Sequence, residues 1–234
     1  MQLFNFYILT FLLNFTFTFA AFIPNGRSFH SSVLIDNKLY FIGGYKQINN
    51  SYSPITNELF YLDVSKPFTI TDNDSIPWVD LTYTGGPLKQ YATACVGGKN
   101  NDMIFIFGGI SHSSVSGDRY ANQSFVNQFN TNKQQWINIT SVGNVPTNRS
   151  DFSCANFDNG FIAIFSGFIN TTYSINDLWI FNTLTLTWSL SNATNATNAP
   201  FPMNGYCAVT LFNGIFYILV DRVILIQQLF HIHQ

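Results

Sequence analysis

The stretch Asp36-Asn37-Lys38-Leu39-Tyr40-Phe41-Ile42-Gly43-Gly44 is a turn, a short apolar strand and a glycine pair. It returns as Asn101-Asp102-Met103-Ile104-Phe105-Ile106-Phe107-Gly108-Gly109, and again as Asp158-Asn159-Gly160-Phe161-Ile162-Ala163-Ile164-Phe165-Ser166-Gly167. A fourth copy opens as Phe212-Asn213-Gly214-Ile215-Phe216-Tyr217-Ile218 and then departs, with Leu219 and Val220 aligned where the glycines are expected. Self-similarity at a long, nearly fixed period marks a repeat architecture.

Each copy sits inside a larger unit. Upstream lies a strand opened by a basic or small polar residue, Arg27-Ser28-Phe29-His30-Ser31-Ser32-Val33-Leu34-Ile35 in the first unit and 89–96, 149–157 and 204–212 in the others. Downstream comes a third strand ending in an acid or amide, at Asp63, Asn130 and Asn182, and then a tryptophan strand at Trp78, Trp136 and Trp188. Gly43, Gly108 and Ser166 step by 65 and 58 residues, and the tryptophans by 58 and 52. Glycine pairs at strand ends supply left-handed backbone and close approach. The tryptophans supply large apolar faces, and the acid or amide closes a turn on its own backbone.

Four elements in this order, three times over, resemble the blades of kelch-repeat β-propellers, whose period is about 50 residues. The long blades and secreted character are most similar to attractin- and muskelin-like propellers and to galactose oxidase-like kelch proteins. The resemblance implies an all-β fold of about three and a half four-stranded antiparallel blades over 22–220. Its motif residues are Arg27, His30, Gly43, Gly44, Asp63, Trp78, Gly108, Gly109, Trp136, Arg149, Gly167, Asn182 and Trp188. It also implies that the first strands line a central channel, with Arg27, Lys89 and Arg149 near its rim. Residues 221–234 match no kelch element. An arc of this length leaves the front of the first blade and the back of the half blade bare, and self-association through those edges is expected.

Charged residues make up 9% of the 234, against roughly 25% in ordinary globular proteins, and the net charge is −2. No basic block exists, which argues against a nucleic-acid partner or an anionic membrane surface. Residues 3–23 are mostly apolar, with small residues at Ala20-Ala21. They read as a secretory signal peptide spanning 1–21, with no span of membrane length in the mature chain. Sequons agree with secretion, at Asn49, Asn73, Asn122, Asn138, Asn148, Asn170, Asn192 and Asn195. Of these, Asn49, Asn122, Asn170, Asn192 and Asn195 fall in expected loops. The three cysteines Cys95, Cys154 and Cys207 lie in successive first strands. An odd count excludes a complete disulfide framework, and buried free thiols are the expectation.

No catalytic constellation emerges. His30, His112, His231 and His233 do not make the two-histidine, two-tyrosine copper set of a galactose oxidase. Neither a Gly-x-Ser-x-Gly elbow nor a phosphate-cradling glycine loop is present. The expectation is a non-catalytic secreted or cell-surface scaffold without cofactor or metal. Its protein or glycan partner would be held by loops 45–56, 110–122 and 168–175, with the turns 83–87 and 141–147 at the opposite end. The competing reading is a degenerate fragment of a galactose oxidase-like kelch metalloenzyme.

Overall fold

The computed structural model describes residues 21–49, 54–71, 75–111, 124–139, 143–157, 159–169, 173–192, 199–211 and 215–219. The expected signal peptide, the tail 221–234, His112, His231, His233 and the sequons Asn73, Asn122, Asn170 and Asn195 lie outside those residues.

Blade one comprises β1 (Arg27–Ser28), β2 (Ser31–Ile35), β3 (Lys38–Ile42), β4 (Tyr45–Lys46), β5 (Leu59–Asp63) and β6 (Trp78–Asp80). Blade two comprises β7 (Gln90–Gly97), β8 (Met103–Ile110), β9 (Val126–Asn130) and β10 (Gln135–Asn138). Blade three has β11 (Arg149–Ser150), β12 (Cys154–Asn156), β13 (Phe161–Phe165), β14 (Phe168–Ile169), β15 (Tyr173–Ser174), β16 (Leu178–Asn182) and β17 (Thr187–Leu190). Strands β18 (Cys207–Thr210) and β19 (Phe216–Leu219) form the start of a fourth. The main sheets run β2-β3-β5-β6, β7-β8-β9-β10, β12-β13-β16-β17 and β18-β19, antiparallel throughout. The described residues thus form three four-stranded blades and a two-stranded one, the incomplete propeller of the sequence reading.

Strands β8 and β13 are buried on both faces because a neighbouring blade packs on each side, whereas β3 has a blade on one side only and its Leu39 and Phe41 are half-buried. Tyr40 and Ile42 of β3 meet Ile104 and Ile106 of β8 between blades one and two. The alternate residues Phe105 and Phe107 of β8 join Ile162, Ile164 and Phe181 between blades two and three. The tryptophan of each later blade reaches back to the blade before it. The Trp188 ring lies 5.6 Å from Phe107 and 5.7 Å from Phe125, and the Trp136 indole N–H donates to Thr84 Oγ1 at 3.0 Å.

Two expectations are corrected and one holds in part. The front of blade one is only partly covered: Phe60 is 2% exposed, under the Phe22 ring at 5.4 Å and the Arg27 guanidinium at 4.3 Å, while Leu34 on the same face is 54% exposed. Leu219 does not stand at a glycine position. It pairs with Cys207 inside β19, so it corresponds to Phe165, the last strand residue before Ser166-Gly167. Finally, Cys95 and Cys154 are not free thiols but form a disulfide, with their Cα atoms 6.3 Å apart. Strands β7 and β12 are the innermost strands of adjacent blades. Cys95 lies one step further along its strand than Cys154 does, and that stagger lets the two side chains meet across the blade interface. Cys207 is free and exposed.

Candidate functional site

Because each blade is an up-and-down meander, the connections after the second and fourth strands all come to one end. The described parts of the loops, 45–49, 54–56, 168–169 and 173–175, and the turns 83–87 and 143–147 therefore share that end, rather than lying on opposite ends as the sequence suggested. Strand pairing locks them together: β1 pairs with β4, and β11 with β14.

The glycine pairs build this end. Gly43 and Gly108 have φ of +66° and +60°. A Cβ on either would lie 2.3 Å from a carbonyl of the next blade, Lys89 O or Arg149 O respectively. The second glycine donates its N–H to the next blade's first strand, Gly44 to Lys89 O at 2.8 Å and Gly167 to Met203 O at 2.9 Å. Ser166 takes the first-glycine position with φ +51°, and its Oγ accepts the Met203 N–H at 2.8 Å.

The basic residues are not at the channel rim. Arg149 is fully buried and Lys89 nearly so, because their side chains turn into the blade towards the start of the third main strand. Arg149 donates two bonds to Asp177, Nη1 to Oδ1 at 2.6 Å and Nη2 to Oδ2 at 2.8 Å. It also holds Ser166 O at 2.9 Å and Thr147 O at 3.1 Å. Arg27 does the same in blade one, reaching Glu58 at 2.6 Å and Gly43 O at 3.2 Å. Lys46 also binds Glu58, at 2.5 Å. Burial alone would raise the Glu58 carboxyl, but the hydrogen bonds and charges of Lys46 and Arg27 outweigh it and hold it below its ordinary value. In blade two the acid's place is taken by Phe125. Among the described residues Lys89 donates from its side chain to Ser124 O alone, at 2.8 Å, and burial lowers its pKa to about 7.

What occupies the rim lies two residues further on. Phe29, Tyr91, Asp151 and Gly205 hold equivalent positions, all left-handed, with φ of 55°, 54°, 57° and 62°. They form a staircase around the channel: Tyr91 N donates to Phe29 O, Asp151 N to Tyr91 O, and Gly205 N to Asp151 O, at 3.0, 3.0 and 2.9 Å. The Phe29 and Tyr91 rings stack at 4.1 Å, and Tyr45 meets Phe29 edge-on at 6.0 Å. Burial, then Tyr45 and Asp151, push the Tyr91 hydroxyl up, and burial raises the Asp151 carboxyl. Comparison of the repeats missed these residues because Phe, Tyr, Asp and Gly share no side-chain chemistry. The common offset of Phe29, Tyr91 and Asp151 from the aligned basic residues, and the backbone conformation common to all four, relate them.

Residues 29–222 match the KLHDC2/KLHL20/DRC7 Kelch-repeats domain. The chain belongs to this kelch-repeat family. Kelch domain-containing protein 3 of Bos taurus is 25% identical over 175 residues, 71% of this chain and 41% of that protein. The Homo sapiens protein of the same name gives the same values. Acyl-CoA-binding domain-containing protein 4 of Arabidopsis thaliana is 29% identical over 197 residues, 81% of this chain and 25% of that protein. The chain therefore spans less than half the length of these relatives. The solved structure of YjhT aligns with a TM-score of 0.59 and 16% identity, covering 82% of this chain and 59% of that one, a likeness of fold.

The other residues singled out in the kelch pattern sit as follows. His30 is half-buried beside Phe41 at 5.6 Å, and burial followed by the Arg27 charge lowers its pKa. Asp63 and Asn182 cap the turns that follow them, accepting Ser65 N–H and Leu184 N–H at 2.9 Å each. Asn130 does likewise for Lys133 at 2.8 Å. Trp78 packs on Phe41 and Phe60 of its own blade. Gly109 and Gly167 would meet Ala92 Cβ at 2.8 Å and Phe152 Cβ at 2.9 Å. Of the described sequons, Asn49, Asn138 and Asn192 are exposed and Asn148 is half-buried. Among the described residues, no helix is long and apolar enough to cross a membrane.

Proposed function

We propose that this kelch chain is a secreted or cell-surface binding scaffold without catalytic activity, whose partner is a protein, or a glycan, engaged at the loop-bearing end. One observation carries the reading. The described ends of the connections after the second and fourth main strands gather at one end of packed antiparallel sheets, around a rim of partly exposed aromatic side chains at Phe29, Tyr45 and Tyr91. Loops positioned by a rigid scaffold are where recognition resides. Kelch repeats are generally interaction modules, which supports the same class.

The Cys95–Cys154 disulfide supports the compartment, since such bonds persist in oxidising surroundings. The exposed sequons Asn49, Asn138 and Asn192 support glycosylation. Self-association belongs to this proposal at the two open ends, where Leu219 of β19 is 42% exposed and Leu34 on the front of blade one is 54% exposed.

Two measurements test the reading. Expressed in a eukaryotic secretory host, the protein is expected in the medium, shortened by about 20 residues and carrying mass that a glycosidase removes. Recovery in the cytosol with Met1 attached overturns the compartment. Selection from displayed peptide and glycan libraries is expected to yield ligands whose binding is lost in Tyr91→Leu and kept in Lys99→Ala at the opposite end. Ligands insensitive to Tyr91→Leu overturn the placement of the site.

A further inference from the structure

The rim staircase contains an ingredient that a purely structural role does not explain. Left-handed backbone costs a bulky side chain about 1–3 kcal/mol, and Gly205 shows that glycine fits the same step of the staircase. Yet blades one and two place Phe29 and Tyr91 there, and blade three places Asp151. The strain is borne by the two stacked rings, with a carboxylate on the next step, all three partly open to solvent.

The charges around them are spoken for. At this end Arg27 and Lys46 are bound to Glu58, Arg149 is bound to Asp177, and Lys89 is buried against Ser124 O. The other described cations, Lys38, Lys66, Lys99 and Lys133, lie on or beside turns at the opposite end. Among the described residues, Asp151 has no ion-pair or side-chain hydrogen-bond partner. Its hydrogen bonds there are backbone ones, and burial raises its carboxyl with no described cation to lower it. Tyr91 sits on the adjacent step, its carbonyl accepting the Asp151 N–H, and the Asp151 charge acts on its hydroxyl.

We infer that Phe29, Tyr45, Tyr91 and Asp151 form a subsite at the channel rim for a cationic side chain, arginine or lysine, of a partner polypeptide. This rests on the scaffold reading and names the chemistry of its central contact. A guanidinium or ammonium over an aromatic face is attracted by the ring quadrupole, and more strongly when desolvated. The same group neutralises the half-buried Asp151 carboxylate. A neutral sugar could also lie on the rings, but it would leave that charge desolvated and uncompensated. The observations therefore favour a basic peptide over a glycan.

The test uses the full chain, secreted and immobilised. A displayed library of random peptides is selected on it, and the best sequence is then made with blocked ends in two forms, with arginine and with citrulline, its neutral isostere. Enrichment of arginine or lysine is expected, with at least tenfold weaker binding of the citrulline form by fluorescence anisotropy. Asp151→Asn should abolish that discrimination while leaving the melting temperature unchanged, because asparagine tolerates left-handed backbone. Tyr91→Leu should weaken the arginine form more than the citrulline form. Selected peptides without a basic preference, still lost in Tyr91→Leu, overturn the cation subsite but leave the scaffold. Binding of a neutral oligosaccharide on a glycan array, unaffected by Asp151→Asn, overturns the subsite in favour of a sugar platform. If neither library yields a ligand, the scaffold reading itself falls, and the subsite with it.

Discussion

Asp177→Ala removes the counter-charge of a fully buried guanidinium. Arg149 would keep its bonds to Ser166 O and Thr147 O but lose both contacts at 2.6 and 2.8 Å to the carboxylate. The Trp179 indole N–H, which donates to Asp177 Oδ2 at 2.7 Å, would be orphaned as well. Breaking a buried pair by deleting one partner costs about 3–5 kcal/mol, because the surviving charge has no water to return to. For a domain of this size each kcal/mol moves the melting temperature by about 2–4 °C, so a fall of roughly 6–20 °C is expected. Blade two supplies the control within the same molecule. Phe125 stands at the position of Asp177 and packs on Trp188 and Phe107, which shows that a blade can be built without the acid. Replacing the pair together, Arg149→Met with Asp177→Phe, should therefore recover most of the loss. Urea unfolding followed by tryptophan fluorescence measures both variants, and an unchanged m-value shows that the transition is comparable. A single variant that loses under about 1 kcal/mol, or a double variant as unstable as the single, would refute the view that this ion pair anchors blade three.

The buried Lys89 gives a pH dependence of definite sign. Its folded pKa of about 7 lies below the ordinary 10.5, so the unfolded chain binds more protons between those values, and stability should rise as pH goes from 7 to 10. Lys89→Met should flatten that slope; equal slopes in urea midpoints at pH 7 and 9 would show that Lys89 is solvated. Gly108→Ala places a Cβ 2.3 Å from Arg149 O at φ +60°, whereas Gly85→Ala at φ +74° meets nothing within 4 Å. The first should cost well over the roughly 1 kcal/mol of an average substitution and the second about that much, compared by thermal melts; similar losses would mean that conformation alone matters. Peptide mapping without reduction should recover Cys95 joined to Cys154 while Cys207 alkylates freely. Cys95→Ser, which opens a loop closed across 59 residues, should cost roughly 4 kcal/mol, and a loss near zero would indicate that the bond is not formed in solution.

The sequence by itself determined the blade. Continuous apolar runs such as Met103 to Phe107 and Phe161 to Phe165, set between turn residues with glycines, amides and tryptophans at fixed places, are satisfied by strands buried on both faces, and stacked blades provide that. It also placed Asp63, Asn130 and Asn182 at their turns, because an amide or acid capping its own backbone is a local interaction two or three residues long. Tertiary structure decided what depends on the neighbouring blade. Cys95 and Cys154 occupy similar strands in the alignment, and only their stagger across the interface brings the sulfurs together. Arg149 resembles a rim residue until Asp177, 28 positions away, draws its guanidinium inward. Phe29, Tyr91, Asp151 and Gly205 share no side-chain chemistry that a sequence comparison can detect. They become one site because the same left-handed backbone step, repeated around an axis, sets four unlike side chains along a single rim.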